Sequence, residues 1–200
     1  MKAVILDMYG VIVKDTGDGF YEFVNRTFPK IETAYMYKEW DRANIGEITS
    51  LEVLRVFGYK DNVEKVEKEY LDSIEINEGF YDFALEVRKH CKLALISNDI
   101  SNWSSFLRDK YKLNEYFDVI TVSGDLKIKK PDKRIFEYTL ESLGCIAEEC
   151  VYVDDRRSNL NAARAMGMAA VLFNSRNVEY DGKIVRDFKE LEEYICQISV

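Results

Sequence analysis

Apolar residues gather into five short runs in which polar and apolar positions do not alternate. Ala3-Val4-Ile5-Leu6 leads straight into Asp7, with Gly10 three positions further on. An unbroken run of β-branched and bulky residues predicts a strand buried on both faces, as strands of parallel sheets are. The signature recurs at 92–98 (Lys92-Leu93-Ala94-Leu95-Ile96-Ser97-Asn98), 117–122, 150–155 and 169–173. Apolar positions at helical spacing fill the intervals over 80–89, 103–110, 134–143, 159–166 and 187–198, and Gly167 is placed to stop the fourth of these. Strand alternating with helix from residue 79 onward calls for a parallel sheet with helices on both faces.

The stretch 20–77 has a different character, helical throughout and without a strand pattern. Phe20, Phe23, Val24 and Phe28 fit one face of a helix ending near Pro29. A second helix includes 35–40, Thr49 or Ser50 can cap a third over 51–57 that Gly58 ends, and Val63, Val66, Tyr70 and Leu71 mark one face of a fourth over 62–75. A polar, glycine-containing loop at 14–19 leads into this stretch. The pattern predicts a Rossmann-like α/β core formed by 1–14 and 78–200. A small all-helical cap, 15–77, is inserted after the first strand, with Tyr35, Tyr37 and Trp40 as its core.

Composition narrows the classes. Of 200 residues, 47% are hydrophobic and 13% aromatic, so the chain is globular. A formal charge of -8 repels phosphate backbones and anionic lipid, which argues against nucleic-acid and membrane partners while leaving room for a small anion at one locally positive site. The four cysteines, Cys91, Cys145, Cys150 and Cys196, form no Cys-x-x-Cys pair, and with His90 the single histidine a zinc site or a histidine-based triad is not expected. Scattered cysteines without a signal peptide predict the cytoplasm.

The chemistry lies at strand ends. Asp7, Ser97 and the pair Asp154/Asp155 each follow a predicted strand, where the ligand crevice of an open α/β sheet lies. Lys130 sits on the basic turn 127–132, close to Lys127 and Lys129. A carboxylate at such a place serves as nucleophile, metal ligand or helix cap. A carboxylate, a hydroxyl, a lysine and an acid pair converging on one crevice are harder to explain as packing.

The arrangement resembles the haloacid dehalogenase superfamily along the whole chain. Asp7-Met8-Tyr9-Gly10-Val11 is similar to its first motif, Ser97-Asn98 to the second, Lys130-Pro131-Asp132 to the third, and Val153-Asp154-Asp155 with Asn159 to the fourth. The resemblance implies Asp7 as a nucleophile that forms an aspartyl-phosphate. It implies Mg²⁺ on Asp7, the main-chain carbonyl of Tyr9, and Asp154 or Asp155. Ser97 and Asn98 would bind the phosphoryl oxygens, and Lys130 would neutralise charge shared by Asp7 and the phosphate. Asn159 would bond a metal-bound water or Asp155.

Tyr9 departs from the phosphatase pattern, which carries a second aspartate there to protonate the leaving oxygen. A phenol, with an ordinary pKa of about 10, is a poor match for that task. Three readings follow: an Mg²⁺-dependent phosphatase of a small phosphorylated metabolite such as a sugar phosphate; a metal-independent 2-haloacid dehalogenase, whose first motif reads Asp-x-Tyr-Gly but which has no need of Asp154/Asp155; and a non-catalytic phosphate- or partner-binding protein. The first is the expectation. The subgroup acting on α-glucose 1-phosphate is similar in lacking the second aspartate, and Gly46-Glu47-Ile48 and Gly124-Asp125-Leu126 look like it too.

Overall fold

The computed structural model describes residues 1–14, 19–28 and 30–198. Much of the loop expected at 14–19, and the helix end expected at Pro29, lie outside these residues. Six parallel strands form one sheet: β1 (Ala3–Leu6), β2 (Lys92–Ser97), β3 (Val119–Val122), β4 (Cys150–Asp154), β5 (Ala169–Phe173) and β6 (Lys183–Val185). Their order is β3-β2-β1-β4-β5-β6, so the chain reverses its direction of travel across the sheet at β1. Open sheets of this kind bind ligands beyond the strand ends at that reversal.

Burial of the strands on both faces follows residue by residue. Val4 and Leu6 of β1, Leu93 and Leu95 of β2, and Val151 and Val153 of β4 enter one apolar cluster. Their alternate neighbours Ala3, Ile5, Ala94, Ile96, Cys150 and Tyr152 enter another. Successive strand side chains point to opposite faces, so an apolar run without alternation is what a doubly covered strand requires. The first cluster takes side chains from α5 (Phe80–Val87), α6 (Ser101–Lys110) and α10 (Phe188–Ile198). The second takes Ile135, Phe136, Leu140 and Leu143 of α8 (Lys133–Leu143) and Leu160 and Ala163 of α9 (Arg157–Ala165).

Between β1 and α5 the chain forms α1 (Gly19–Thr27), α2 (Thr33–Asn44), α3 (Ser50–Val56) and α4 (Val63–Ser73), with no strand among the described residues of this segment. Thr49 caps α3 through a reciprocal box with Glu52, as its position before the apolar run predicts. These helices join the sheet's first cluster through aromatic rings. Trp103 of α6 lies 5.2, 5.1 and 5.0 Å, centroid to centroid, from Phe20, Trp40 and Tyr70. Glu67 of α4 also accepts a hydrogen bond from the Trp103 indole at 2.5 Å.

The core aromatics of this segment differ from expectation. Trp40 is buried, but Tyr35 and Tyr37 are 44% and 41% exposed. On the amphipathic helix α2 they fall on the outer side of the stripe that buries Met36, Trp40 and Ala43. A short strand and a single helical turn are among the elements without a counterpart in the sequence reading. β6 spans three residues at the sheet edge, with only Val185 of the three buried, and α7 (Ser123–Leu126) is a single turn. Both are too short to show a period. Among the described residues no helix is long and apolar enough to cross a membrane.

Candidate active site

The register of the sheet assembles the acids. Leu6 pairs with Leu95 on one side and Val153 on the other, and Asp7 extends the ladder by donating its N–H to the Val153 carbonyl at 2.9 Å. One residue further along each strand, Asp7 therefore stands level with Asp154. The chain then turns: the Ile12 and Val13 amides both return to the Met8 carbonyl at 2.9 Å, with Gly10 at φ +78. A Cβ at Gly10 would lie 2.7 Å from Asp155 Oδ2, so glycine is needed here both for the left-handed backbone and for the approach of the second acid.

Lys130 lies at the centre of this group, 2% exposed. Its ammonium donates to Asp7 Oδ1 at 2.6 Å, to Asp154 Oδ2 at 3.1 Å and to the Ile96 carbonyl at 2.9 Å. The competition among three neighbouring lysines is thereby resolved in space: Lys129 pairs instead with Asp41 of α2, and Lys127 is exposed. Asn98 fixes the lysine's main chain, accepting from the Lys130 N–H at 2.8 Å and donating to its carbonyl at 2.9 Å. The side chain expected to meet phosphate thus spends both ends on Lys130.

Asp154 is saturated. It accepts from Lys130, from the Asn159 amide nitrogen on both of its oxygens at 3.0 and 3.2 Å, from the Arg156 N–H at 2.8 Å, and from the Tyr152 hydroxyl. Asn159 was expected to meet Asp155 or a bound water and bonds Asp154 instead. Asp155 is held by Arg176 Nε at 2.6 Å on Oδ2, while its buried Oδ1 has no hydrogen-bond partner. One carboxylate oxygen from each of Asp7, Asp154 and Asp155 lies within 4.8 Å of the others. Ser97, fully buried at the end of β2, also leaves its hydroxyl without a partner.

The electrostatics follow from this crowding. Burial, and then the charge of Asp154, pushes Asp7 up to about 8 despite Lys130. Asp155 rises to about 6 for the same two reasons, with Arg176 opposing. Burial works against a charge on Lys130, but Asp154 and Asp7 outweigh it and its pKa rises. Three carboxylates crowd around Lys130, with Arg176 and Arg156 opposing at Asp155, and the donor set is hard oxygen with the buried Asp155 Oδ1 unpartnered. That composition suits a hard divalent cation such as Mg²⁺.

A cavity of about 170 Å³ opens above Asp7 and Lys130. Its far wall comes from the helical segment, through Tyr21, Tyr37 and Trp40. Arg156 also lines it. Tyr9 lines the cavity without filling it, because its hydroxyl donates to Asp99 Oδ1 at 3.2 Å. Asp99 is fully buried and burial holds its carboxyl well above the usual range; its Oδ2 has no partner. The helical segment reaches the sheet a second time here. Ser123 of α7 donates to the Asn44 carbonyl at 2.5 Å, and a Cβ on Gly46 would lie 2.9 Å from the Gly124 carbonyl.

Tyr152 and Arg176 were not singled out from sequence. Tyr152 was open to detection, since residues two apart on a strand share a face and Asp154 follows it. Arg176 sits on a loop after β5 with no local pattern to mark it.

The profile of haloacid dehalogenase-like hydrolases matches residues 4–173. The chain belongs to this family. A phosphorylated carbohydrates phosphatase of Thermotoga maritima is 28% identical over 184 residues, 86% of this chain and 84% of that protein. Of several other curated relatives the haloacid dehalogenase-like chain spans between 29% and 52%. Among solved structures, a family enzyme of Bacteroides thetaiotaomicron in complex with magnesium and inorganic phosphate superposes with a TM-score of 0.74 at 19% identity, over 90% of this chain and 97% of that one. The 2-haloacid dehalogenase of Pseudomonas syringae pv. Tomato superposes almost as well, with a TM-score of 0.70 at 18% identity over 99% of each chain. The fold therefore does not separate phosphoryl transfer from dehalogenation, and the side chains must.

Proposed function

We propose that this hydrolase is an Mg²⁺-dependent phosphatase of a small phosphorylated metabolite, with a sugar phosphate as the leading class. The observation that carries the reading is the Asp7–Lys130–Asp154 bridge beside the unpartnered oxygen of Asp155. A carbon-attacking dehalogenase has no use for that third acid, whereas a phosphoryl site does.

Asp7 is the nucleophile. Both of its hydrogen bonds, from Lys130 and from the Met8 N–H at 2.7 Å, fall on Oδ1, so Oδ2 is the oxygen that attacks phosphorus. The aspartyl-phosphate so formed is hydrolysed by water, which restores the carboxylate and releases inorganic phosphate. Lys130 holds Oδ1 in place and keeps positive charge at the point where negative charge gathers. Ser97 offers its hydroxyl to the phosphoryl oxygens, and Asn98 acts on them through the position of Lys130. Asp7, Asp155 and the Tyr9 carbonyl would hold Mg²⁺ directly, with Asp154 as the alternative acid. The ion supplies Lewis-acid charge to the phosphoryl oxygens and favours the ionised form of Asp7. Asp154, saturated by Lys130, Asn159 and Tyr152, keeps the lysine aimed.

Residues 15–77 form the cap and 1–14 with 78–200 the core; the cap sets substrate choice through the wall it contributes. The relative from Thermotoga maritima supports a carbohydrate-phosphate enzyme. The test is a panel of phosphate esters with and without Mg²⁺, alongside 2-haloacids without metal. Phosphate release that requires Mg²⁺ is expected. Halide release without metal would establish the dehalogenase instead, and no turnover on any compound would establish a binding protein.

A further inference from the structure

A buried chain of hydrogen bonds runs from the helical segment to the wall of the cavity. It begins at the last residue of α2, where the Asn44 carbonyl accepts from the Ser123 hydroxyl at 2.5 Å. The same hydroxyl oxygen accepts from the Asp99 N–H at 2.9 Å. Asp99 Oδ1 in turn accepts from the Ile100 N–H at 2.8 Å and from the Tyr9 hydroxyl at 3.2 Å. Ser123 and Asp99 are fully buried and do not line the cavity, whereas Asn44 and Tyr9 do. The single turn α7 is fitted to this seat. Its Gly124 N–H donates to the Asp99 carbonyl at 3.1 Å, and a Cβ on Gly124 would lie 2.7 Å from Ser101 Oγ and 2.9 Å from that carbonyl. Only glycine lets the two turns approach so closely.

We propose, on the basis of the phosphatase reading above, that Asp99, seated by Ser123, is a positioning residue that acts through Tyr9: it draws the phenol against the wall and keeps the space over Asp7 open to phosphate. Tyr9 follows the nucleophile by two residues, and its ring turns about two torsions. A buried acceptor for the hydroxyl selects one placement, since a phenol left without a partner in a buried site costs more than the bond itself contributes. Released from Asp99, the ring turns into the cavity of about 170 Å³ that it lines and competes there with phosphate. Apparent affinity then falls by the fraction of molecules whose ring is in the way, while turnover of bound substrate does not. The helical segment enters through Ser123: its hydroxyl hydrogen is spent on the Asn44 carbonyl, which leaves the oxygen facing the Asp99 N–H. Docking of α2 and placement of the phenol therefore share one hydroxyl.

The experiment measures kcat and KM for p-nitrophenyl phosphate, and Kd for inorganic phosphate by calorimetry, at fixed Mg²⁺ and pH. The proteins are the wild type, Tyr9→Phe, Asp99→Leu, the double variant and Asp99→Asn, each with a thermal melt. Tyr9→Phe and Asp99→Leu are each expected to raise KM and the phosphate Kd by about two- to tenfold, the range one neutral hydrogen bond spans, with the loss falling on KM rather than on kcat. The double variant is expected to be no weaker than either single one, because both remove the same contact. Asp99→Asn keeps an acceptor for the phenol and is expected to bind phosphate as the wild type does. Losses that add in the double variant, or a Tyr9→Phe protein with wild-type KM and Kd, overturn the inference while leaving the phosphatase intact. Tyr9→Phe alone decides the matter if Asp99→Leu does not fold. Phosphate binding without turnover overturns the phosphatase reading, and the Kd series then decides the role of Asp99. No binding of phosphate by the wild type overturns both.

Discussion

Lys130 and Asp7, 123 residues apart in the chain, meet at 2.6 Å with both side chains buried. The contact joins the loop before α8 to the end of β1, and with Asp154 it neutralises a part of the sheet that would otherwise concentrate negative charge. Removing one partner of a buried pair leaves the others desolvated and unpaired, at a cost of about 3–5 kcal/mol. Lys130→Ala is expected to destabilise the metal-free protein by that amount at pH 7, which urea unfolding measures.

Asp7, raised to about 8, and Asp155, raised to about 6, keep protons at pH values where ordinary carboxylates have lost them. The sign follows directly. An acid whose pKa is raised by folding binds more protons folded than unfolded between its unfolded and folded values, so metal-free stability falls as pH rises from 4 toward 8. A cation must displace those protons, so Mg²⁺ affinity is expected to strengthen with pH, by up to about tenfold per unit for each proton released, and to level off above pH 8. Calorimetric titration with Mg²⁺ in buffers of different ionisation enthalpy reads both the affinity and the proton count.

Arg176 occupies the side of Asp155 opposite the unpartnered oxygen. Arg176→Ala removes a charge-assisted hydrogen bond to a buried carboxylate and is expected to cost about 1–3 kcal/mol without metal. Each kcal/mol lowers the melting temperature by about 2–4 °C in a domain of this size. Mg²⁺ should restore more stability to the variant than to the wild type, because the ion takes over neutralisation that the guanidinium provided. Thermal melts with and without Mg²⁺ test it.

Phe20 of α1 is fully buried, stacked on Trp40 at 4.3 Å and edge-on to Trp103 at 5.2 Å. Phe20→Ala is expected to cost about 3–5 kcal/mol. Because the ring lies in one apolar cluster with α6 and the strands, the helical segment and the sheet are expected to unfold together. Coincident transitions by tryptophan fluorescence and far-ultraviolet circular dichroism support this, and two separated transitions contradict it.

The parallel core was legible because its strands need no alternation: Val4 and Ile5 face opposite clusters and both must be apolar. The convergence of Asp7 and Asp154 was legible for the same reason, since each ends such a run. Among Lys127, Lys129 and Lys130, which carry the same chemistry, the motif resemblance singled out Lys130, and Asn98 gripping its main chain holds it in the site. The partner of Asp155 was hidden: Arg176 reaches it from a loop without periodicity. The environment of Tyr9 depended on Asp99, whose burial comes from elements distant in sequence.

The nucleophile assignment is tested most directly by Asp7→Asn, which keeps the size of the side chain and removes its charge. Phosphate release from acetyl phosphate and p-nitrophenyl phosphate with Mg²⁺ is measured for the variant and the wild type, with a thermal melt to establish that both are folded. The account predicts that the folded variant falls to the rate of the buffer. Turnover by Asp7→Asn at the wild-type rate would contradict it.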